Sequence, residues 1–255
     1  MTGLSTLTIV LPAVFLAGLF DAVAGGGGII SVPAYLAAGL PPHFAVATNK
    51  FSATLGTFSA TARFLKKGVV DWKTVRWAVI STMIGAWIGG RLLLLTEPGF
   101  LRYLLLFLIP VIAVFFLSRK QLGMSDHSHG HPLSRRVGLT SATAFLIGAY
   151  DGFFGPGTGT FHILFFTAFL HYDFLRANGN TKVLNGASNL ASLMVFILAG
   201  KILWPIALPA AAAGIAGNLV GARLAIRGGN RLVRGMFLTV LIALLAKIAW
   251  DLIRA

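Results

Sequence analysis

Cysteine is absent from this chain of 255 residues, which excludes disulfides and thiolate metal centres. Acids are scarce as well, with 7 Asp and Glu against 21 Lys and Arg and a formal charge of +14. Charged residues make up only 11%, while 56% of the chain is hydrophobic and its mean hydropathy is +0.83. That composition excludes an ordinary soluble domain, and the length suffices for a compact membrane bundle. The basic excess is no nucleic-acid footprint, because most Lys and Arg sit between apolar runs rather than along one face. No Gly-Lys-Ser or Gly-Lys-Thr follows a glycine run, so a phosphate-binding loop is excluded and no motif indicates direct energisation by nucleotide. No nucleophile stands beside a base and a third member: His171/Asp173 and Asp126/His127 are isolated pairs. An enzyme is not expected, and no cofactor is implied. No positive charge precedes Lys50, so the first apolar run lacks the basic start of a signal peptide. It reads as mature membrane structure.

What the chain does contain, it contains twice. Gly18-Leu-Phe-Asp21-Ala-Val-Ala-Gly25-Gly-Gly-Gly28 returns as Gly148-Ala-Tyr-Asp151-Gly-Phe-Phe-Gly155-Pro-Gly157-Thr-Gly159. Thr48-Asn49-Lys50 returns as Asn180-Thr181-Lys182, and Gly85, Gly89 and Arg91 return as Gly217, Gly221 and Arg223. Residues 1–118 form one membrane repeat and 137–255 the other. Between them lies a polar linker at 119–136 centred on Asp126-His-Ser-His-Gly-His131. Each repeat divides into four apolar units: 7–40, 43–66, 74–96 and 99–118, then 137–170, 174–199, 205–225 and 230–252. The expected fold class is an all-α polytopic membrane protein.

The first unit of each repeat is too long for one crossing and breaks at its glycines. Residues 7–22 reach about 24 Å, short of a hydrocarbon core of about 30 Å. A re-entrant hairpin, or two short helices meeting at a deep tip, is expected in each repeat. Loop charge points the same way. Arg63, Lys66, Lys67, Lys73 and Arg76 crowd 62–76, whereas the equivalent 200–205 carries Lys201 alone. The reverse holds at 91–102 against 223–234, where Arg223, Arg227, Arg231 and Arg234 gather. By the positive-inside rule, equivalent loops lie on opposite sides. The repeats are therefore inverted, the linker is cytoplasmic and both termini are external.

Duplicated membrane segments broken by Gly and Pro are a pointer to a transport site. Gly25, Gly26, Gly27 and Gly28, with Gly155, Gly157, Thr158 and Gly159, form the two tips. Each precedes a returning helix whose positive end favours an anion; close helix packing is the alternative. Lys50 and Lys182 lie inside apolar units, where a cation is expensive and faces a cavity or a partner. They read as anchors for an anion, helped by Asn49, Asn180, Asn185 and Asn189, or else as chains snorkelling to the interface. Asp21 and Asp151 either carry a coupling proton or pair with a lysine and cap the tip turn. Asp151, beside the looser tip with Thr158 and Thr160, is expected to be the less structural of the two. Gly85/Gly89 and Gly217/Gly221 read as helix-packing faces, and Trp72, Trp204 and Trp250 as interface anchors. The linker histidines read as solvated, and no metal site is expected.

The run Asp21-Ala-Val-Ala-Gly-Gly-Gly-Gly-Ile-Ile-Ser-Val-Pro33, followed by Gly39-Leu-Pro-Pro-His-Phe-Ala-Val-Ala-Thr48-Asn-Lys50, closely resembles the TauE/SafE sulfite-exporter family. That family includes toluene-sulfonate permeases. Gly155, Gly157, Lys182 and Asn185 resemble its second repeat, so the likeness covers nearly the whole chain. The resemblance implies transport of a small sulfur-containing anion such as sulfite or a sulfonate across a bacterial inner membrane. The reading is a secondary transporter of a small anionic substrate, working by alternating access in the lipid bilayer and binding no nucleic acid. A homodimer stays open. The rivals are a proton-linked cation or metal transporter and a non-transporting membrane scaffold or assembly factor.

Overall fold

The computed structural model of the chain describes residues 3–96 and 123–253. Among these the secondary structure is helical, without strands. The apolar unit expected at 99–118 lies outside the described residues. The unit at 7–40 divides at its glycines into α1 (Gly3–Ala24) and α2 (Gly28–Ala37). Then come α3 (Pro42–Lys67) and α4 (Trp72–Leu95). After a single 3-10 turn at Ser128–Gly130, the second half repeats the order. It runs α5 (Leu133–Phe153), α6 (Thr158–Ala168), α7 (Phe174–Leu198) and α8 (Trp204–Ile253). A non-helical Gly229 (φ 59°, ψ −157°) breaks α8 between the units at 205–225 and 230–252.

Local chemistry sets these boundaries. Asp71 caps α4 by accepting from the Thr74 N–H, and Asp173 caps α7 by accepting from the Arg176 N–H at 2.9 Å. Lys66 and Lys67 occupy the last turn of α3, where the negative end of the helix favours cations.

The molecule is apolar outside and polar within. Between the charged ends of α4, at Lys73, Arg76 and Arg91, the large exposed apolar side chains Trp77, Ile80, Ile84 and Ile88 follow helical spacing and continue into Leu92 and Leu95. Such a stripe suits lipid rather than water. Meanwhile Thr48, Asn49, Lys50, Asn178, Asn180, Thr181 and Lys182 are all buried. Four described stretches are long and apolar enough to cross a membrane: Thr6–Ala24, Trp72–Leu95, Phe174–Leu198 and Trp204–Thr239. This is a multi-pass membrane protein.

Two helix pairs pack backbone to backbone. A side chain at Gly85 or Gly89 of α4 would strike the carbonyls of Phe145 or Ala149 on α5, and Gly152 faces Ala86 in return. In the other half, Gly217 and Gly221 of α8 meet the carbonyls of Phe15 and Leu19 on α1. The duplicated glycines are thus packing faces, as the small-xxx-small spacing indicates. Exchanging the halves exchanges the pairings: α1 with α8 answers α5 with α4, and α3 with α8 answers α7 with α4. The polar helices α3 and α7 pack on each other across the middle.

One length differs from the sequence reading. α1 holds 22 residues, about 33 Å at 1.5 Å per residue, so it is not short of the hydrocarbon core. The apolar window begins later than the helix because Gly3, Ser5 and Thr6 extend it without adding hydrophobicity. The short members are the returning helices, α2 with 10 residues and α6 with 11, each about half a bilayer long.

The linker does not float. Asp126 pairs with Arg176 at 2.6 Å, Phe174 donates its N–H to Gly123 O at 2.8 Å, and Ser128 is fully buried. His131 and His171 share a 3.0 Å ring-nitrogen contact. Among the described residues no three His, Cys, Asp or Glu groups gather as a metal site. Helix α5 begins at Leu133, so the end of the linker is already helical. Close by, Asp71 Oδ2 accepts from Tyr172 Oη at 2.6 Å, Arg136 Nη1 at 2.7 Å and Thr74 Oγ1 at 2.9 Å. This cluster ties the first half to the linker and to the α6–α7 turn.

Burial pushes the Asp71 carboxyl up, but the hydroxyls of Tyr172 and Thr74 and the Arg136 guanidinium outweigh it and hold the group below the usual carboxylate range. A carboxyl lowered by folding contributes stability above its unfolded value and loses it as pH falls through the lowered folded-state value. Acidification below about pH 4 should therefore lower the melting temperature. Tyr172→Phe should remove about 1.5–3 kcal/mol at neutral pH and shrink that acid dependence. Thermal unfolding of both proteins across pH checks this; equal acid slopes would contradict it.

Candidate functional site

The two glycine tips touch. A side chain on Gly25 would collide with the backbone of Gly159 and Thr160, and one on Gly159 with that of Gly25. Gly28 sits against Pro156 in the same contact. Helices α2 and α6 both start here, so their positive ends converge on one region. Gly155 has φ 96°, and a Cβ there would lie 3.2 Å from both Asp151 Oδ1 and Lys50 Nζ. Its bareness leaves backbone open beside that ion pair.

The aspartates and lysines pair across the halves. Lys182 Nζ lies 2.7 Å from Asp21 Oδ2, and Lys50 Nζ lies 2.8 Å from Asp151 Oδ1. Neither lysine snorkels: Lys50 is 2% exposed and Lys182 0%. The snorkelling alternative is excluded.

The pairs are not equivalent. Lys182 also donates to the Asp21 backbone carbonyl at the end of α1. Asn178 Nδ2 donates to Ala22 O at 2.8 Å and Val23 O at 3.0 Å, and Thr160 Oγ1 to Ala24 O at 3.3 Å. The carbonyls of Ala22, Val23 and Ala24 have no donor within α1, and the second half satisfies all three, while the Asp21 carbonyl accepts from the Gly25 N–H at 2.8 Å as well as from Lys182. A cation placed there also opposes the helix dipole. Lys50, by contrast, donates only to side chains, Asp151 Oδ1 and Asn189 Oδ1 at 2.9 Å. Asp151 is completed by Thr158 Oγ1 on Oδ1 at 2.9 Å and Ser188 Oγ on Oδ2 at 2.7 Å. The position equivalent to Asn178 is Val46, which cannot cap.

A cavity of about 50 Å³ lies beside Lys50. By that measure one water needs about 10–15 Å³, so the space takes a group of a few heavy atoms, the size of a small oxyanion. Of the residues expected from the sequence, Asp21, Gly25, Gly27, Gly28, Asn49, Lys50, Asp151, Gly155, Thr158, Gly159, Asn185 and Asn189 line it. Gly26, Gly157 and Lys182 do not. Asn180 is elsewhere, accepting from the Asp71 N–H at 2.7 Å. Among the described residues, no hydrogen-bond partner meets the side-chain amides of Asn49 and Asn185, 7% and 5% exposed. Both amides open on the cavity, where a ligand or water can meet them.

Sequence reasoning missed several lining residues. Ser31, Ser52, Thr57 and Asn218 face the cavity, and the buried Asn218 Oδ1 has no partner. Asn218 was findable, since a lone amide in the apolar run of α8 is a signal for a helix contact or a site. The hydroxyls gave no such signal, because Ser and Thr are ordinary in membrane helices.

The sulfite exporter TauE/SafE profile matches residues 10–248. The chain belongs to the TauE/SafE sulfite exporter family. It is 35% identical over 238 residues to the probable membrane transporter protein YfcA of Escherichia coli strain K12, covering 92% of this chain and 87% of that protein. It is 36% identical over 249 residues to a probable membrane transporter protein of Haemophilus influenzae, covering 98% and 96%. To the probable membrane transporter protein ORF9 of a Sinorhizobium species it is 35% identical over 246 residues, covering 96% and 93%. No solved structure matches it significantly.

Proposed function

We propose that this protein is a secondary transporter that carries a small anion through the cavity at the tip contact. The observation that carries the reading is the pair of unpartnered amides, Asn49 and Asn185, lining the same cavity as the buried Lys50. Amide N–H and ammonium donors around a space of oxyanion size suit sulfite, a sulfonate or a related organosulfur or organic acid. The two convergent helix starts add positive potential.

The transport cycle is alternating access between inverted halves in a bacterial inner membrane. In this reading α1–α2 and α5–α6 are re-entrant hairpins entering from opposite faces, with both termini outside. The half-bilayer lengths of α2 and α6, the exchange symmetry of helix pairings and the opposed loop charges support it. Single cysteines in this cysteine-free chain, Lys67→Cys and Lys201→Cys, should label from opposite faces of a vesicle. Labelling from one face would contradict the inversion. Vesicles loaded with sulfite should exchange it for labelled sulfite when they carry the purified protein. Absence of exchange with sulfite, methanesulfonate and acetate alike would contradict the transport reading.

A further inference from the structure

The four charges of the site cancel, with Lys50, Lys182 and Asp151 buried and the Asp21 side chain 14% exposed. Lys50 is neutralised by Asp151 and Lys182 by Asp21, all within 2.8 Å. An anion arriving at this cavity meets no free positive charge. Bound there, it would leave a net negative charge in a poorly solvated place, which electrostatics opposes strongly. One proton restores neutrality, and the geometry selects where it goes.

Asp21 is ill placed to take it, because its lysine is outside the cavity and holds the carbonyl end of α1. Asp151 lines the cavity, and its lysine is bound to side chains alone. The hydroxyls of Thr158 and Ser188 donate to the Asp151 carboxylate and can turn to accept from a carboxylic acid. Gly155 keeps the space over Oδ1 and Nζ free of any side chain. The other charged and titratable groups around the pair come from each packed element. From α6, His162 lies within electrostatic reach of Asp151 and Lys182, and from α1, Asp21 lies within reach of Lys50. On α5 itself, Tyr150 donates to Pro156 O at 2.6 Å. Helix α4 meets α5 through Gly85, Ala86 and Gly89, which carry no charge.

We propose that the protein carries a proton together with its anion, and that Asp151 is the proton site. This rests on the anion reading of the same cavity. On binding, the Asp151 carboxylate takes one proton and becomes a neutral acid, and the Lys50 ammonium exchanges that carboxylate for the anion. On release the anion leaves Lys50, Asp151 loses its proton to the same compartment, and the ion pair re-forms. A monoanion then crosses without net charge.

The test uses the full-length purified protein and methanesulfonate, whose sulfonate stays ionised across the working pH range. Calorimetry gives affinity against pH, and a dye in weak buffer counts protons. The wild type should take up about one proton per anion bound, and affinity should weaken about tenfold per pH unit wherever that uptake is complete. Asp151→Asn should bind with no uptake and with pH-independent affinity. Wild-type binding without uptake overturns the inference while leaving the anion site standing. Uptake that persists in Asp151→Asn overturns the assignment to Asp151. Failure of the wild type to bind methanesulfonate or sulfite at any pH overturns the anion reading and this inference together. If Asp151→Asn does not fold, the wild-type count decides: about one supports coupling, and zero ends it.

Discussion

Lys182→Met should lower the melting temperature steeply. The ammonium holds both the carboxylate and the backbone carbonyl of Asp21, and methionine supplies no donor to either. Removing one member of a buried ion pair costs about 3–5 kcal/mol, because the remaining charge is stranded. That is a large part of the about 5–15 kcal/mol by which folded proteins are stable. The end of α1 would then loosen against α7, and with it the tip at Gly25. Adding Asp21→Asn removes the stranded charge, so the double variant should recover part of the loss. Thermal unfolding in detergent measures both. A Lys182→Met protein melting within a few degrees of wild type would show that this pair does not hold the helix end.

Lys50→Met strands Asp151 in turn and should also lower stability, but it should fail to bind even where Asp151→Asn is added to recover the fold. Lys50 supports no helix end, and without it Asp151 keeps its hydrogen bonds from Thr158 and Ser188. Binding should weaken by at least the about 1.5–3 kcal/mol of one charged hydrogen bond, roughly 10- to 150-fold. Exchange of sulfite across vesicles should fall in step. Normal binding by a folded Lys50→Met protein would remove the lysine from the substrate's path.

The contrast between the two lysines shows what the sequence could and could not supply. Their duplication, and that of Asp21 and Asp151, is legible because equal motifs recur at nearly equal spacing. The glycine breaks are legible for the same reason, and so are the small-residue faces of α4 and α8. The partners are not, since spacing along a chain carries no distance across it. Nothing in the two Lys motifs says that Lys50 reaches the second half's aspartate and Lys182 the first half's. The difference in role turns on Asn178 against Val46, a change that looks incidental until α7 is seen to cap α1. The length of α1 was underestimated for a related reason. Hydropathy marks where lipid begins, whereas a helix continues through polar residues that still satisfy its backbone.

The account's central claim is that an anion binds against Lys50, between Asn49, Asn185 and Asn189, while Lys182 remains with Asp21. Selenite resembles sulfite in charge and shape, and its selenium scatters anomalously. An anomalous map of the protein crystallised with selenite tests the claim most directly. The account predicts one selenium peak with its oxygens in hydrogen-bond reach of Lys50 Nζ and the Asn185 amide, and an unchanged Lys182–Asp21 contact. A peak at Lys182, or crystals whose tip cavity holds no selenium at saturating selenite, would contradict it.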